Sequence, residues 1–329
     1  MGASIGIAHS DGGETVETLL RQADLAMYEA KDRGKGQAVV YDRSIGQVRL
    51  ERLEIAEALR AAIDAESLHV VYQPVVGTAS GQVEAVEALV RWQLDGEDMS
   101  TERFVRIAEE TGLIVDLGEL VLATVARDAA ALHAATGRSV PMCVNISVSQ
   151  LREHSLHAAV QRALDTMSPT GLVLEITERE GIGDDPDVLE AMRVISESGV
   201  RFAIDDFGAG FSSLSYLRTV PAHVIKCDGS LVVGIDDDDR VRAVLRAIVL
   251  MGEALELDVV IEGIEREAQL ECVRDEVGAT HVQGYFLHRP MSFDALVGVL
   301  RADPGEGTGP GLAGLGRVSR DRAELLGSS

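Results

Sequence analysis

The chemistry in this chain of 329 residues is concentrated at seven places. Glu87, Asn145, Glu175, Asp205 with Asp206, Lys226, Glu262 and Gln283 each stand in or just after a short apolar run. Five of these groups are carboxylates, and every one except the lysine offers an oxygen donor. Hard divalent cations prefer oxygen ligands, so such a ring suits Mg2+ or Mn2+. Taken singly, the residues have plainer explanations. Asp205 or Asp206 could cap the helix that follows, and a lone Asn145 or Gln283 is most often a hydrogen-bonded loop residue. Glutamate caps poorly, however, and Glu87 stands among Val86, Ala88, Leu89 and Val90. An unpaired charge is costly to bury there. Joint placement at successive strand ends is the specific signal. Lys226 adds to it, as the one lysine between Asp42 and the C-terminus in a chain with 27 arginines and three lysines. Codon bias with one survivor gives the same count. A compact ammonium is nevertheless a different tool from a guanidinium, and a special role is the preferred reading.

Those residues need a scaffold that brings strand ends together. Strand-like runs cover residues 69–76, 83–92, 140–146, 172–176, 201–204, 223–225, 259–261 and 280–282. Helical patterns fill the gaps at 101–110, 117–135, 150–166, 187–198 and 239–256. Only residues 77–82 separate the first two runs, which predicts a hairpin and one antiparallel strand. The remaining runs alternate with helices, the pattern of a parallel sheet. Eight runs over this length predict a TIM-like β/α barrel, whose site lies at the C-terminal ends of its strands. The spacings from Asn145 to Glu175 and from Glu175 to Asp205 are 30 residues each, close to one βα unit.

Ahead of the barrel, residues 1–42 read as strand, helix and strand, a short α+β fragment with too few elements to bury its own apolar faces. An amphipathic helix is expected over 44–66. Past Arg301, Pro304-Gly305-Glu306-Gly307 opens a stretch, 303–329, expected to be a flexible Gly/Pro-rich tail.

Composition removes several function classes. With 54 acidic against 30 basic residues the net charge is −24, which argues against duplex nucleic acid or an anionic membrane as partner. An anionic ligand then needs local arginines or metal ions that reverse the field. At 46% hydrophobic residues the chain can build a sizeable core, so wholesale disorder is excluded. Cys143, Cys227 and Cys272 form no CxxC, and the eight histidines include no HExxH. The N-terminus lacks a basic n-region and no run is apolar enough to span a membrane, so a cytoplasmic location is expected.

The motifs together resemble the EAL-domain cyclic di-GMP phosphodiesterases. Glu87-Ala88-Leu89-Val90-Arg91-Trp92 is similar to that family's signature. The likeness runs through Tyr72-Gln73-Pro74, Ala108-Glu109-Glu110-Thr111-Gly112, Val144-Asn145-Ile146-Ser147 and Leu174-Glu175-Ile176-Thr177-Glu178. It continues through Asp205-Asp206-Phe207-Gly208, Ile225-Lys226-Cys227-Asp228, Glu262-Gly263-Ile264-Glu265, Gln283-Gly284-Tyr285 and Arg289-Pro290, covering about residues 46–302. Residues 1–42 resemble the C-terminal end of a GGDEF diguanylate cyclase domain, through Ser4-Ile5-Gly6-Ile7-Ala8 and Ala23-Asp24-Leu25-Ala26-Met27-Tyr28. The GGDEF loop itself is missing, so no cyclase activity is expected.

The resemblance implies hydrolysis of cyclic di-GMP to linear pGpG with two Mg2+ or Mn2+ ions per site, and inhibition by Ca2+. It implies that Glu87, Asn145, Glu175 and Asp205 hold one metal, and that Asp205 bridges to a second held by Asp206 and Glu262. Lys226 would bind the attacking water. Glu262 is implied as either general base or ligand, so that Glu262, Lys226 and Glu87 carry the catalysis. Gln73, Arg91, Asp228 and Gln283 would meet the substrate, Arg91 through its planar fork. Asp228 shares a strand face with Lys226, two residues away. Glu178 and Glu265 would support loops. A homodimer through the loop after Asp206 is also implied. Three features depart from the family pattern: Arg179 replaces a small Ser, Ala209 replaces a Thr, and residues 94–102 are short and lack prolines. They bear on rate and on dimer strength. Two other readings remain: an EAL domain that senses cyclic di-GMP without cleaving it, and a metal-dependent barrel enzyme of another class, such as an enolase-like lyase.

Overall fold

Apolar runs and helices close into a barrel in the computed structural model, which describes residues 2–10, 12–32, 34, 36–177, 185–209 and 216–302. The chain divides into two compact units. One holds the residues up to Ala65 together with Glu102–Thr111. The other holds Glu66–Thr101 and the residues from Gly112 onward.

In the first unit, strand β1 (Ile5–Ile7) pairs parallel with β2 (Ala38–Val40), joined by helix α1 (Val16–Asp32). Gly6 lets β1 approach α1 closely, because a Cβ there would fall 1.9 Å from the Ala23 carbonyl oxygen. Helix α2 (Arg43–Asp64) starts where Asp42 accepts a hydrogen bond from the Ser44 amide, a side-chain N-cap. Helix α3 (Thr101–Thr111) is tied to α2 by Arg103–Glu51 and Arg52–Glu110 ion pairs at 2.6 and 3.8 Å. The unit's core is small, with Ala26, Ala30, Val39 and Ile45 buried together. Ile5, Val16, Leu20 and Val40 are exposed.

The second unit is the barrel. Its eight strands are β3 (His69–Gly77), β4 (Val83–Arg91), β7 (Met142–Asn145), β8 (Leu172–Thr177), β9 (Arg201–Phe207), β10 (Val224–Cys227), β11 (Asp258–Ile261) and β12 (His281–Val282). Between β4 and β7 a two-stranded ribbon intervenes, β5 (Gln93–Leu94) with β6 (Glu97–Asp98). Strand β3 runs antiparallel to both its neighbours, β12 and β4, and every other neighbouring pair in the barrel is parallel. The expected hairpin and single antiparallel strand are therefore present.

The helices are α4 (Ile114–Thr136), α5 (Val148–Leu151), α6 (His154–Met167), α7 (Pro186–Ser196), α8 (Asp239–Ala254), α9 (Glu267–Cys272) and α10 (Phe293–Ala302). One expectation is corrected. The single helix expected over 150–166 is two, because Ser147 and Gln150 form a capping box that starts α5 early. Glu153 is then extended and opens α6. No described helix is long and apolar enough to cross a membrane. The expected tail, 303–329, lies outside the described residues.

Candidate active site

The barrel interior is stacked in layers. Side chains alternate across a strand, so residues two apart share a face. Val75, Ala85, Cys143, Val173, Ala203, Val224 and Val260, one from each of seven strands, form a buried apolar cluster. Two positions further along the parallel strands come Glu87, Asn145, Glu175, Asp205, Lys226 and Glu262. On antiparallel β3 the corresponding residue is Gln73, two before Val75 and paired in register with Glu87. The polar layer thus rests directly on an apolar floor at the strands' C-terminal ends, where β/α barrels carry their sites.

Lys226 sits at the centre of that layer, buried to 3% side-chain exposure. Its Nζ is 2.9 Å from Glu175 Oε2, 2.9 Å from Glu262 Oε1, 3.2 Å from Glu87 Oε2 and 3.2 Å from Asp205 Oδ1. Two carboxamides complete the hold on Glu87: Asn145 Nδ2 donates to Oε1 at 3.0 Å and Gln283 Nε2 to Oε2 at 2.9 Å. Gln73 is fastened by its Nε2, which donates to the His288 carbonyl at 3.1 Å.

Burial opposes charge on every member of this cage, and the neighbours decide the outcome. At Glu87 the Lys226 ammonium and the Gln283 and Asn145 amides outweigh burial and hold the carboxyl below its ordinary value. At Glu175 burial prevails over Lys226, with the charges of Glu87 and Asp205 adding, and the carboxyl is pushed well up. Burial pushes Glu262 up to about 7, against Lys226 and with Asp205 and Glu87. Burial disfavours the Lys226 ammonium, but Asp205, Glu175, Glu262 and Glu87 together hold it firmly protonated. In the floor, burial pushes the Cys143 thiol well up, which suits a neutral filler and not a nucleophile.

The donor set fits a divalent cation. Ligand atoms of Glu87, Glu175 and Asp205 lie within 4.8 Å of one another. An ammonium has three N–H donors and cannot serve four carboxylates. Among the described residues, Asp205 Oδ1 and Gln283 Oε1 are buried without a hydrogen-bond partner. Asp205 Oδ1 has only its ion pair with Lys226 at 3.2 Å, and buried oxygens short of hydrogen bonds call for a partner.

Beside the cage opens a cavity of about 280 Å3 lined by Gln73, Glu87, Glu262, Glu265, Gln283 and Tyr285, among others. Glu265, expected to support a loop, faces this cavity, while its backbone N–H donates to Gln269 Oε1 at 2.9 Å. Tyr285 is half-exposed there, with the Arg289 guanidinium 4.6 Å from its ring centroid. Sequence reasoning passed over it. The signal was available in Gln283-Gly284-Tyr285, a large aromatic directly after a strand end.

Asp206 follows Asp205 with a left-handed backbone, φ 55°, uncommon for a residue other than glycine and typical of functional sites. It is not one of the three carboxylates that converge. Asp228 caps the turn Gly229–Val232, its Oδ1 accepting from the Ser230 amide at 2.9 Å. Arg91 Nη1 donates to its neighbour's carbonyl on Val90 at 2.9 Å and lies 3.4 Å from Thr101 Oγ1. Glu178, Arg179 and residues 210–215 of the loop after Asp206 lie outside the described residues.

A barrel with one reversed strand and a carboxylate cage around a buried lysine is thus the class that fold and site define. The EAL domain model matches residues 56–290, and the chain belongs to the EAL domain family. Residues 1–37 match the diguanylate cyclase GGDEF domain. An uncharacterized signaling protein of Caulobacter vibrioides is 40% identical over 310 residues, covering 93% of this chain and 38% of that protein. The cyclic di-GMP phosphodiesterase NbdA of Pseudomonas aeruginosa is 35% identical over 306 residues, covering 92% of this chain and 39% of NbdA. This chain therefore spans about two-fifths of the length of these curated relatives. Among solved structures, the PaMucR phosphodiesterase in complex with c-di-GMP superposes with a TM-score of 0.67 at 35% identity. That match covers 74% of this chain and 99% of the other.

Proposed function

We propose that this chain is a phosphodiesterase that hydrolyses one ester bond of cyclic di-GMP to give linear pGpG. The observation that carries the reading is the cage itself: Glu87, Glu175 and Asp205 converging around buried Lys226, with more carboxylate oxygens than one ammonium can serve. Its support is family membership and the likeness to NbdA and PaMucR. Glu87, Asn145, Glu175 and Asp205 would hold one Mg2+ or Mn2+, and Asp205, Asp206 and Glu262 a second. Bound there, such ions would lower the pKa of a water and neutralise charge on the phosphate. Lys226 orients the attacking water and steadies charge that develops on the phosphate oxygens. Glu262 serves either as a ligand of that second ion or as the general base that takes the water's proton. The water oxygen bonds to phosphorus, the P–O3′ bond breaks, and the departing 3′-oxygen takes up the proton first removed from the water. Arg91 meets a phosphate through its planar fork, and Gln73, Asp228 and Gln283 meet the substrate.

The same reading places the phosphodiesterase domain at residues 46–302, after a GGDEF-like segment at 1–42 and before a tail at 303–329. It expects a cytoplasmic homodimer built through the loop after Asp206, weakened by Ala209, and inhibition by Ca2+, whose coordination is larger and looser. The test is incubation of the purified protein with cyclic di-GMP and Mn2+, followed by chromatography. Appearance of pGpG, abolished by chelator, is the expected result. Intact substrate under saturating Mn2+ would favour a protein that binds cyclic di-GMP without cleaving it.

A further inference from the structure

Within the cage, one cation already occupies the position where the carboxylates converge. Glu87, Glu175 and Asp205, the three groups able to ligate a metal together, are the same groups whose oxygens lie 2.9–3.2 Å from Lys226 Nζ. Glu262 adds a fourth carboxylate at 2.9 Å. The side chain is 3% exposed, so water does not screen the ammonium from whatever else enters. Like charges close together in a site of low effective dielectric repel strongly. Removing the lysine would leave four carboxylates facing one another, which is why breaking a buried ion cluster from one side is destabilising.

We propose that Lys226 is the internal counter-cation of the cage and competes with the divalent metal for it. In metal-free protein its ammonium holds Glu87, Glu175, Asp205 and Glu262 at ligating distance from one another. When metal binds, the ammonium gives up its contacts with Glu87, Glu175 and Asp205 and turns toward the reacting water. Lys226 is therefore a positioning residue before it is a catalytic one. The protein keeps its ligands preorganised in exchange for weaker metal affinity. The inference rests on the cage being the metal site of the proposed hydrolysis.

The test is Mn2+ binding by calorimetry, with thermal unfolding in chelator, for wild type, Lys226→Met and Lys226→Arg. Lys226→Met is expected to unfold several degrees lower in chelator. It is also expected to bind Mn2+ about tenfold more tightly or better, each tenfold being about 1.4 kcal/mol. Its thermal gain on adding Mn2+ then exceeds that of wild type. Lys226→Arg keeps the charge and binds Mn2+ no more tightly than wild type. Lys226→Met that folds only with Mn2+ supports the proposal as well. Should it fold under neither condition, the wild-type protein decides through the 15N signal of the Lys226 ammonium. That signal shifts or is lost on saturation with diamagnetic Mg2+ if the ammonium leaves the carboxylates, and an unmoved signal overturns the proposal. Equal or weaker Mn2+ binding by Lys226→Met overturns it too while leaving the hydrolase reading intact. A wild-type protein that binds no Mn2+ overturns both.

Discussion

Two layers of the same barrel, two residues apart on the same strands, do opposite work. The floor, from Val75 and Ala85 round to Val260, is entirely apolar and buried. The layer above it crowds four carboxylates around one ammonium. Both layers hang on identical backbone, so the fold does not distinguish them. The difference teaches where stability and function part: the floor gains from burial, whereas the upper layer pairs charges whose desolvation roughly offsets their attraction. Substitutions in the floor should therefore cost unfolding free energy and spare turnover, whereas those in the upper layer should cost turnover, and at Lys226 stability as well.

The largest expected effect is in the upper layer. Glu87→Ala removes a proposed ligand and the acceptor of both Asn145 and Gln283, and turnover of cyclic di-GMP is expected to fall by roughly 10²-fold or more. Circular dichroism of the variant stays that of a folded barrel. Retention of a tenth of the wild-type rate would show that this carboxylate is not a ligand. The floor gives the converse. Val173→Ala opens a small cavity beneath Glu175 and costs roughly 1–3 kcal/mol of stability by urea unfolding, with kcat close to wild type. A large loss of kcat at unchanged stability would erase the distinction between the layers.

A smaller effect belongs to strand β4 just ahead of the floor residue Ala85. Glu84 Oε2 lies 3.0 Å from His281 Nε2, and Ser80 donates to Oε1 at 2.8 Å. The hydrogen bond to His281, against burial and with help from Ser80, holds the carboxyl below its ordinary value of 4.5. A depressed folded-state pKa contributes stability that is present above the unfolded value and lost as pH falls through the folded one. Glu84→Gln should be about 1 kcal/mol less stable than wild type at neutral pH. That gap should narrow as pH drops below 4.5, and a gap that widens there reverses the sign. Turnover should not change. Turnover is likewise expected to survive deletion of residues 1–42, which carry no cage residue. The deletion strips Ala26, Ala30 and Val39 from around Ile45, so any change appears in solubility or melting. Loss of turnover in a folded deletion variant would assign the fragment a part in the site.

Much of this was legible in the residues. Asn145, Glu175, Asp205, Lys226 and Glu262 stood at or just past the ends of the expected runs and Glu87 within its run, and the barrel brings all six into one layer. The antiparallel strand followed from the six residues between the first two runs. Periodicity could not show the ribbon at Gln93–Leu94 and Glu97–Asp98, because two-residue strands hold no repeat. Nor could it split α5 from α6, where a capping box interrupts a continuous helical pattern. The floor was hidden for another reason: its members are spread from Val75 to Val260 and become neighbours only through strand register. Lys226 stood out by its rarity, but that its ammonium meets four carboxylates at once is a property of the closed barrel alone.

Lys226 gives the most direct test of the upper layer's role. Single-turnover rates of pGpG formation, measured under saturating Mn2+ for Lys226→Met and Lys226→Arg, separate charge and reach from bulk. The Met side chain keeps an unbranched apolar stem, so strand packing survives while the ammonium proposed to orient the water is gone. The rate should fall by roughly 10²–10³, with cyclic di-GMP affinity changed far less, and Lys226→Arg should recover little of it. A Met variant with near-normal rate would contradict the account, leaving a cage that binds without this lysine taking part in the chemistry.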